Sequence, residues 1–276
     1  MKVAIFGGDK RMLFAARAFM NEGHEVFVAG FDNLMSLCEI QVCGIAQAAE
    51  RCDIAVLPVR PITDGCLNMP FSEEKTQIPE LMKMIGEKPV FSGCADQIQP
   101  YVSGKVSDYA AREDFLWRNA ELTAEGAIGL LMDGYEGAVF GTDILVTGYG
   151  RIGKCLSSYL KAMGANVTVA ARKLSDRAMI ALSGIQAVDY PETDCSAYQV
   201  IFNTVPALVL DESAIDRMRE DVYIIDLASK PGGVDFQRAE ERNLTCIHAL
   251  SLPGKTAPLA AGTIIKETIL KMMKES

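Results

Sequence analysis

Residues 146–176 read VTGYGRIGKCLSSYLKAMGANVTVAARKLSD, and this stretch contains the most informative pattern of the sequence. A short apolar run leads into three glycines with the spacing GxGxxG, at Gly148, Gly150 and Gly153. A helical pattern follows, and then a second apolar run. This order predicts a strand, a tight turn, a helix and a second strand, which is the βαβ unit of Rossmann-like dinucleotide-binding folds.

Each glycine has a separate role in such a unit. The first allows the tight turn, the second lets the backbone approach a pyrophosphate, and the third lets helix and strand pack closely. The start of the helix offers free N–H groups and the positive end of its dipole to the phosphates. We therefore predict that the cofactor pyrophosphate binds at Gly148, Tyr149, Gly150, Arg151, Ile152 and Gly153.

The end of the second apolar run indicates which dinucleotide binds. Sites for NAD usually place Asp or Glu about 20 residues beyond the first glycine, where the carboxylate holds the ribose 2′-hydroxyl. This chain has Ala170 and Ala171 there, followed by Arg172 and Lys173. Arg binds a 2′-phosphate through charge-assisted hydrogen bonds, so the sequence predicts NADP. NAD stays open as an alternative cofactor, and the two basic side chains could also be simply solvated.

The same pattern occurs at the beginning of the chain. Residues 3–31 align without a gap with residues 144–172, which places Gly7 on Gly148 but Asp9 on Gly150. A carboxylate at that position argues against a second pyrophosphate site. We therefore predict that the N-terminal half is a substrate domain.

Nine short apolar runs alternate with helical patterns along the chain, as in parallel sheets covered by helices on both faces. The runs that predict strands are KVAIFG (2–7), EVFVAG (25–30), IAVLPV (54–59), PVFSG (89–93), DILVTG (143–148), NVTVAA (166–171), VIFNTV (200–205), VYIIDLA (222–228) and TCIHAL (245–250). The predicted fold is α/β, with two Rossmann-like doubly wound parallel-sheet domains, and 276 residues suffice for two domains. We predict a substrate domain at 1–118, an NAD(P)-binding domain with its linking helix at 119–257, and a C-terminal helix at 258–276.

Two predicted helices lie outside the repeat. The first, over residues 107–134, links the domains and ends at Gly134. The second begins at Pro258 and is expected to return toward the first domain. Its apolar stripe comprises Leu259, Ile264, Ile265, Ile269 and Met272.

Two further loops follow apolar strands of the second half. Because ligands of open α/β sheets bind at the carboxyl ends of strands, we predict that both loops border the cofactor. Ordinary turn chemistry is the alternative, since Pro and Gly form turns anyway. The residues are Asn203, Thr204, Val205 and Pro206 in one loop, and Asp226, Leu227 and Ala228 in the other.

Polar residues also follow strands of the first half. If the two halves face each other, these residues would converge on a cleft with Lys255 and His248. Arg11, Arg60 and Lys255 form a candidate set of carboxylate binders, although each alone could be a solvated charge. The predicted substrate-binding residues are Asp9, Arg11, Arg60, Ser92, Gly93 and Lys255.

Lys255 and His248 are the candidates for proton transfer. A histidine pKa lies near neutrality, which suits that role, but His248 equally fits a buried, hydrogen-bonded histidine.

Composition excludes several classes of function. The chain is 49% hydrophobic and 23% charged with a net charge of −9, which argues against nucleic acid and anionic membranes as partners. No signal peptide or membrane span is expected. Without an export signal or a CxxC pair, the cysteines indicate reduced thiols in a cytoplasmic protein, and no metal site is expected. They are Cys38, Cys43, Cys52, Cys66, Cys94, Cys155, Cys195 and Cys246.

Six motifs taken together resemble the family of dipicolinate synthase A subunits over essentially the whole chain. They are IFGGDKR (5–11), GYGRIGK (148–154), AARK (170–173), NTVP (203–206), DLASKPGG (226–233) and SLPGKTAPLAAG (251–262). Singly, the later loops also resemble those of alanine and shikimate dehydrogenases.

The resemblance implies an NAD(P)-dependent oxidation of dihydrodipicolinate, or of its 4-hydroxy-tetrahydro form, to dipicolinate. This step branches from the lysine pathway and serves spore formation. The resemblance also implies a protein partner, a flavoprotein-like B subunit, in the mother-cell cytoplasm of a spore-forming bacterium. Clustered Arg and Lys would suit a small dicarboxylate substrate. A ring that becomes aromatic on losing hydride would need little acid–base help.

Two other functions stay open. One is a different NAD(P)-dependent amino-acid or hydroxy-acid dehydrogenase, in which His248 or Lys255 transfers a proton. The other is a non-catalytic, cofactor-sensing subunit that regulates a partner. The sequence also leaves open whether the chain forms a homo-oligomer.

Overall fold

A computed structural model describes residues 1–34, 40, 42–102, 104, 106–190 and 193–275. The chain divides into two compact units, Met1–Asn119 together with Pro253–Ser276, and Ala120–Leu252. Of the eight cysteines, Cys38 lies outside the described residues, and the other seven are free thiols. In the described part of the chain, no helix is long and apolar enough to cross a lipid bilayer.

The first unit is built on a five-stranded parallel sheet with the strand order β2-β1-β3-β6-β7. Its strands are β1 (Lys2–Phe6), β2 (Glu25–Ala29), β3 (Ile54–Val56), β6 (Val90–Ser92) and β7 (Val106–Asp108). A short antiparallel hairpin, β4 (Ile62–Thr63) and β5 (Cys66–Leu67), stands apart from this sheet. The helices are α1 (Lys10–Asn21), α2 (Ile45–Arg51) and α3 (Ile78–Ile85).

Helix α4 (Glu113–Gly134) ends at the glycine that the sequence indicates. The predicted start at residue 107 is wrong, because Val106–Asp108 pair with β6 as an edge strand. The carboxylate of Asp108 then accepts hydrogen bonds from the backbone N–H groups of Ala110 and Ala111. Such a side chain competes with helical hydrogen bonding, so the helix begins only after this turn.

The second unit is a six-stranded parallel sheet with the order β10-β9-β8-β11-β12-β13. This is the Rossmann order 3-2-1-4-5-6, so the predicted fold class is confirmed. The strands are β8 (Asp143–Thr147), β9 (Asn166–Ala170), β10 (Gln186–Val188), β11 (Val200–Asn203), β12 (Tyr223–Asp226) and β13 (Thr245–His248). The helices are α5 (Arg151–Ala162), α6 (Leu174–Leu182), α7 (Glu212–Asp216) and α8 (Phe236–Glu241).

The gap-free repeat is present in the backbone. The strand, helix and strand at Lys2–Phe6, Lys10–Asn21 and Glu25–Ala29 correspond one to one with Asp143–Thr147, Arg151–Ala162 and Asn166–Ala170. In both units the first strand is exposed only at its first residue, and the four residues after it are buried. This burial on both faces explains the continuous apolar runs of the sequence.

Two helices end the chain, α9 (Leu252–Thr256) and α10 (Pro258–Glu275). Helix α10 packs on α1 of the first unit, as predicted. A Cβ atom at Gly262 would lie 2.5 Å from the backbone N of Ala15, so the two helices approach closely. Lys266, which is 6% exposed, forms an ion pair with Glu22. The predicted apolar stripe is buried at Ile264, Ile265 and Ile269, whereas Leu259 is exposed.

Candidate cofactor-binding site

The loop between β8 and α5 has the backbone that its glycines suggest. Gly148 has a φ of +95°, which L side chains rarely adopt, and a Cβ there would lie 2.4 Å from Thr204 Oγ1. A Cβ at Gly153 would lie 2.2 Å from the carbonyl oxygen of Gly148. Both positions therefore exclude a side chain because protein atoms already fill the space.

Gly150 differs from the other two glycines. It is the N-cap of α5, and no side chain caps the helix at this end. No described atom lies within 4 Å of the position of a Cβ at Gly150. The start of α5 is thus open at Gly150, and an open helix start is an arrangement that binds a phosphate. The loop fits a dinucleotide pyrophosphate.

The remaining residues of the predicted phosphate loop are placed around this opening. Tyr149 and Ile152 are half-buried and pack against the core beneath α5. The ammonium nitrogen of Lys154 lies 5.2 Å from the centre of the Tyr149 ring. Arg151 is the first residue of α5.

Arg172 follows β9 and lines a cavity of about 340 Å³. The same cavity is lined by Thr147, Tyr190, Leu208, Ser213 and Arg217. Burial raises the pKa of Tyr190 to about 12, although the charge of Arg172 opposes this rise. The Tyr190 hydroxyl therefore stays protonated and can donate a hydrogen bond at neutral pH.

The two basic residues after β9 are not equivalent. Arg172 is exposed and makes no hydrogen bond or ion pair within the described part of the chain. Lys173 is the N-cap of α6 and does not line the cavity. A free guanidinium at a cavity wall is suited to an anionic ligand group.

Asn203 ends β11 and is fully buried. Its Oδ1 accepts hydrogen bonds from Thr147 Oγ1 (2.6 Å) and from the Val205 backbone N–H (3.1 Å). Its Nδ2 donates to the Val205 carbonyl (3.0 Å) and to Asp226 Oδ1 (2.7 Å). An amide has two donors and two acceptor lone pairs, so no capacity is left for a ligand.

Asp226 ends β12 and is also fully buried. Besides Asn203, its carboxylate accepts hydrogen bonds from the backbone N–H groups of Ala228 (3.0 Å) and Gly233 (2.9 Å). The remaining predicted cofactor residues of the loops after these strands are Thr204, Val205, Pro206, Leu227 and Ala228, of which Leu227 and Ala228 are buried. Thr204 and Val205 lie directly against Gly148.

His248 ends β13 and is half-buried. Its Nε2 lies 2.9 Å from the Ala228 carbonyl oxygen and donates a hydrogen bond to it, since a carbonyl can only accept. Its ring stacks on Phe236 with 5.1 Å between ring centres. His248 thus has the contacts of a structural histidine, and its role in proton transfer stays a prediction.

The candidate substrate residues of the first unit form two groups. In one group, Asp9 caps α1 and pairs with Arg11, whose Nη2 lies 2.7 Å from Asp9 Oδ2. A Cβ at Gly254 would lie 2.6 Å from the same oxygen, so the start of α9 packs against this pair. Lys255, the next residue, is exposed.

The second group lies where β6 ends. The buried hydroxyl of Ser92 donates to the Gly93 carbonyl (2.7 Å). A Cβ at Gly93 would lie 2.3 Å from the carbonyl oxygen of Val59, which brings this turn against the residue before Arg60. The Arg60 side chain is exposed. The described residues contain no group of three or more His, Cys, Asp or Glu that could hold a metal ion.

Of the described residues that line the cavity beside β9, the sequence predicted only Arg172 as a site residue. Thr147 could have been predicted, because it is a polar residue at the end of the apolar strand DILVT, directly before the first glycine. Tyr190 and Arg217 could not have been predicted, because they reach the cavity from segments that are distant in sequence from Arg172.

Comparisons with known proteins agree with this geometry. Residues 2–105 match the family described as the N-terminal domain of the dipicolinate synthase A subunit. Residues 125–231 match the family described as D-isomer specific 2-hydroxyacid dehydrogenase, NAD binding domain. The dipicolinate synthase A subunit of Bacillus subtilis (strain 168) is 29% identical over 286 residues, covering 100% of this chain and 96% of the relative.

Solved structures give the same result. The dipicolinate synthase A subunit from Bacillus halodurans is 29% identical and superposes with a TM-score of 0.87, covering 100% of this chain and 98% of that one. A transhydrogenase from Sinorhizobium meliloti shares the fold, with a TM-score of 0.72 at 13% identity over 99% of this chain and 93% of that one. The predicted resemblance, the nicotinamide-dinucleotide domain and the oxidoreductase class are confirmed.

Proposed function

We propose that this chain, whose N-terminal domain belongs to the family of dipicolinate synthase A subunits, oxidises dihydrodipicolinate or its 4-hydroxy-tetrahydro form to dipicolinate with NADP. The observation that carries the proposal is the whole-length similarity to a dipicolinate synthase A subunit, together with an NAD-binding domain. The same similarity supports a protein partner, the B subunit, and a role in spore formation, in the mother-cell cytoplasm.

The choice of NADP rests on the cavity beside β9. Two arginines line it, Arg172 and Arg217, in a chain whose net charge is −9. Its lining also includes one carboxylate, Asp211, which caps α7 by accepting the backbone N–H of Ala214. The cavity thus favours an anion, and a 2′-phosphate beside Arg172 supplies one. The pyrophosphate would lie at Gly150 and the start of α5.

The substrate would be held by its two carboxylates. Arg11 already forms an ion pair with Asp9, whereas Arg60 and Lys255 are exposed and form no ion pair among the described residues. Arg60 and Lys255 are therefore the stronger candidates for direct contact, with Arg11 as a third. A planar dicarboxylate needs donors at both ends if its ring is to lie flat against a nicotinamide.

In this reaction the protein acts mainly by orienting the substrate ring against the nicotinamide. The bound dinucleotide supplies the hydride acceptor. The dihydro ring gains aromaticity as it loses hydride and a proton, and the 4-hydroxy-tetrahydro form must in addition lose water, so a strong general base is not required for the oxidation itself. The internal hydrogen bond of His248 agrees with this expectation. Fixing the ring by its carboxylates then contributes most of what side chains can add.

The test is steady-state kinetics on the purified chain with NADP and freshly generated dihydrodipicolinate, followed at the absorbance of reduced nicotinamide. We expect turnover, and we expect Arg60→Ala and Lys255→Ala each to raise KM and lower kcat. Arg219→Ala is the control, since Arg219 is an exposed residue paired with Asp221.

Other outcomes identify the alternatives. Cofactor binding without turnover, both by the chain alone and with the B subunit added, would indicate a sensing subunit, and turnover only with amino or hydroxy acids would indicate another dehydrogenase. If both charge variants behave like the unmodified chain, the substrate does not bind at these residues.

A further inference from the structure

Four polar side chains occupy the last positions of four neighbouring strands in the second unit. Thr147, Asn203, Asp226 and His248 end β8, β11, β12 and β13. In the strand register they are direct partners, Asn203 opposite Thr147, Asp226 opposite Asn203, and His248 opposite Asp226. We call these four residues the polar row.

Hydrogen bonds run along the whole polar row. Thr147 donates to Asn203 (2.6 Å), and Asn203 donates to Asp226 (2.7 Å). Ala228 completes the connection, because its N–H donates to Asp226 (3.0 Å) and its carbonyl accepts from His248 Nε2 (2.9 Å).

Each of the first three members stands directly before a loop that the proposed function assigns to the cofactor. Thr147 precedes Gly148, and the Thr147 carbonyl oxygen accepts a hydrogen bond from the hydroxyl of Thr204 (2.8 Å). Asn203 holds both the N–H and the carbonyl of Val205. The polar row therefore fixes the backbone of the loops after β8 and β11 relative to each other.

Asp226 does the same for the loop after β12. Its Oδ2 accepts the N–H of Gly233 (2.9 Å), at the far end of the DLASKPGG turn. A Cβ at Gly233 would lie 2.4 Å from both Asn203 Nδ2 and the Val205 carbonyl oxygen. This loop consequently packs against the loop after β11.

Stability alone does not account for the polar row. Asn203 and Asp226 are fully buried, and no described cationic side chain donates a hydrogen bond to Asp226. Replacing buried, hydrogen-bonded polar groups by apolar groups of the same shape can be neutral or stabilising, so such a polar row is not needed for the fold alone. The first unit has the apolar alternative at the position that corresponds to Thr147, where β1 ends in the buried Phe6.

We propose that Thr147, Asn203 and Asp226 are positioning residues, which hold the three cofactor loops at the spacing that an intact dinucleotide requires; Thr147 does so in addition to its place in the wall of the cavity beside Arg172. This inference rests on the proposed binding of NADP in the second unit. It predicts that damage to the polar row weakens binding of the whole dinucleotide more than it weakens the fold.

Asn203→Asp is the strongest perturbation. It replaces the donor that faces Asp226 with an oxygen and brings two buried carboxylates together. We expect the Kd of NADP to rise about 10- to 150-fold, the range for losing a hydrogen bond to a charged group. Adenosine 2′-monophosphate lacks the pyrophosphate, so its Kd should change less than twofold.

A matched pair of threonines separates positioning from stability. Thr147 and Thr142 flank β8 at opposite ends, are 1% and 6% exposed, and both donate a hydroxyl hydrogen bond, to Asn203 and to the Ala138 carbonyl. Thr147→Val and Thr142→Val should lower Tm by similar amounts. Only Thr147→Val should raise the Kd of NADP, by roughly two- to tenfold.

The titrations by calorimetry have distinct outcomes. An unmodified chain that binds no NADP would contradict the proposed function and the inference together. If the unmodified chain binds NADP, equal Kd values for Thr147→Val and Thr142→Val overturn the inference and leave the proposed function standing. Because Asn203→Asp can unfold the domain, the threonine pair decides the question in that case.

Discussion

The two βαβ units have the same backbone but opposite chemistry at the loop where their first strand ends. Asp9 and Gly150 occupy aligned positions, are both helix N-caps, and have nearly the same φ and ψ, −84° and −172° against −75° and −167°. In the first unit the carboxylate of Asp9 occupies the helix start and pairs with Arg11. In the second unit that place is open.

The space above each loop differs as well. A Cβ atom at Gly7 would lie 2.5 Å from the carbonyl oxygen of Asn68 and 2.7 Å from the side chain of Met69, whereas at the aligned Gly148 it would lie 2.4 Å from Thr204 Oγ1. Phe31, which aligns with the exposed Arg172, is fully buried and stacks with Phe71 at 6.1 Å between ring centres. At the positions of Asp9 and Phe31 the first unit is therefore filled by its own chain, where the second unit has the open Gly150 and the exposed Arg172.

The comparison indicates that the repeat determines the backbone of the two units. Residues outside the repeat determine whether the protein itself or a ligand fills the space at the loop. The segment Asn68–Phe71, which follows the β4–β5 hairpin, has no counterpart in the aligned residues 144–172. Within the aligned residues, Asp9 indicates that the first unit has lost the phosphate site. The residues that fill the space at its loop, however, belong to a segment outside the alignment.

Gly150→Asp should produce the largest effect, because it gives the second unit the residue of the first. The backbone suits Asp, and Asp is a favoured N-cap, so we expect the fold to persist. The carboxylate would meet the pyrophosphate, and binding of NADP should be lost in a calorimetric titration.

Gly44→Asp is the matched control for that experiment. Gly44 is also a helix N-cap with no described atom within 4 Å of a Cβ position, but it lies in the first unit. The Gly44→Asp protein should bind NADP with the affinity of the unmodified chain. Normal binding by Gly150→Asp would mean that this loop does not hold the phosphates.

Met69→Ala tests the filled region of the first unit. Met69 is 7% exposed, so its truncation leaves a cavity and should cost about 2–5 kcal/mol of unfolding free energy. Met179→Ala, at an exposed position on α6, should stay within about 0.5 kcal/mol. Denaturant unfolding measures both values.

The same Met69→Ala protein should gain no second cofactor site, because Asp9 still occupies the helix start. A second molecule of NADP bound per chain would show that Met69, and not Asp9, is what excludes a dinucleotide from the first unit.

Arg172→Ala should have the smallest of these effects. Loss of one charge-assisted contact to the 2′-phosphate, worth about 1.5–3 kcal/mol, should weaken NADP roughly 10- to 150-fold. The affinity for NAD should not change, and Arg219→Ala should alter neither. Equal weakening of NAD and NADP would place Arg172 on the adenosine and not on the 2′-phosphate.

The sequence predicted the elements whose residues form an uninterrupted local pattern. The nine apolar strand runs, the glycine loop and the repeat all have local patterns, and each is present. The hairpin β4–β5 and the strands β7 and β10 were missed, because segments of two or three residues contain too few positions for a period to be visible. Residues 107 and 108 were mistaken for helix for the same reason.

Within the site, sequence placed residues but not their hydrogen bonds. Asn203 and Asp226 were correctly located at strand ends, yet their bonding within the protein depends on the register of three strands. Arg217 reaches the cavity of Arg172 from the end of α7, and no spacing in the chain indicates this. Contacts between distant segments of this kind become visible only in the folded chain.

We expect one unit to bind a nicotinamide dinucleotide and the other, with the same backbone, to bind none. A calorimetric titration of the unmodified chain with NADPH measures the number of binding sites. We predict one molecule bound per chain. Two molecules per chain would show that Asp9 and Met69 do not close the first unit, and none would show that the opening at Gly150 is not a cofactor site.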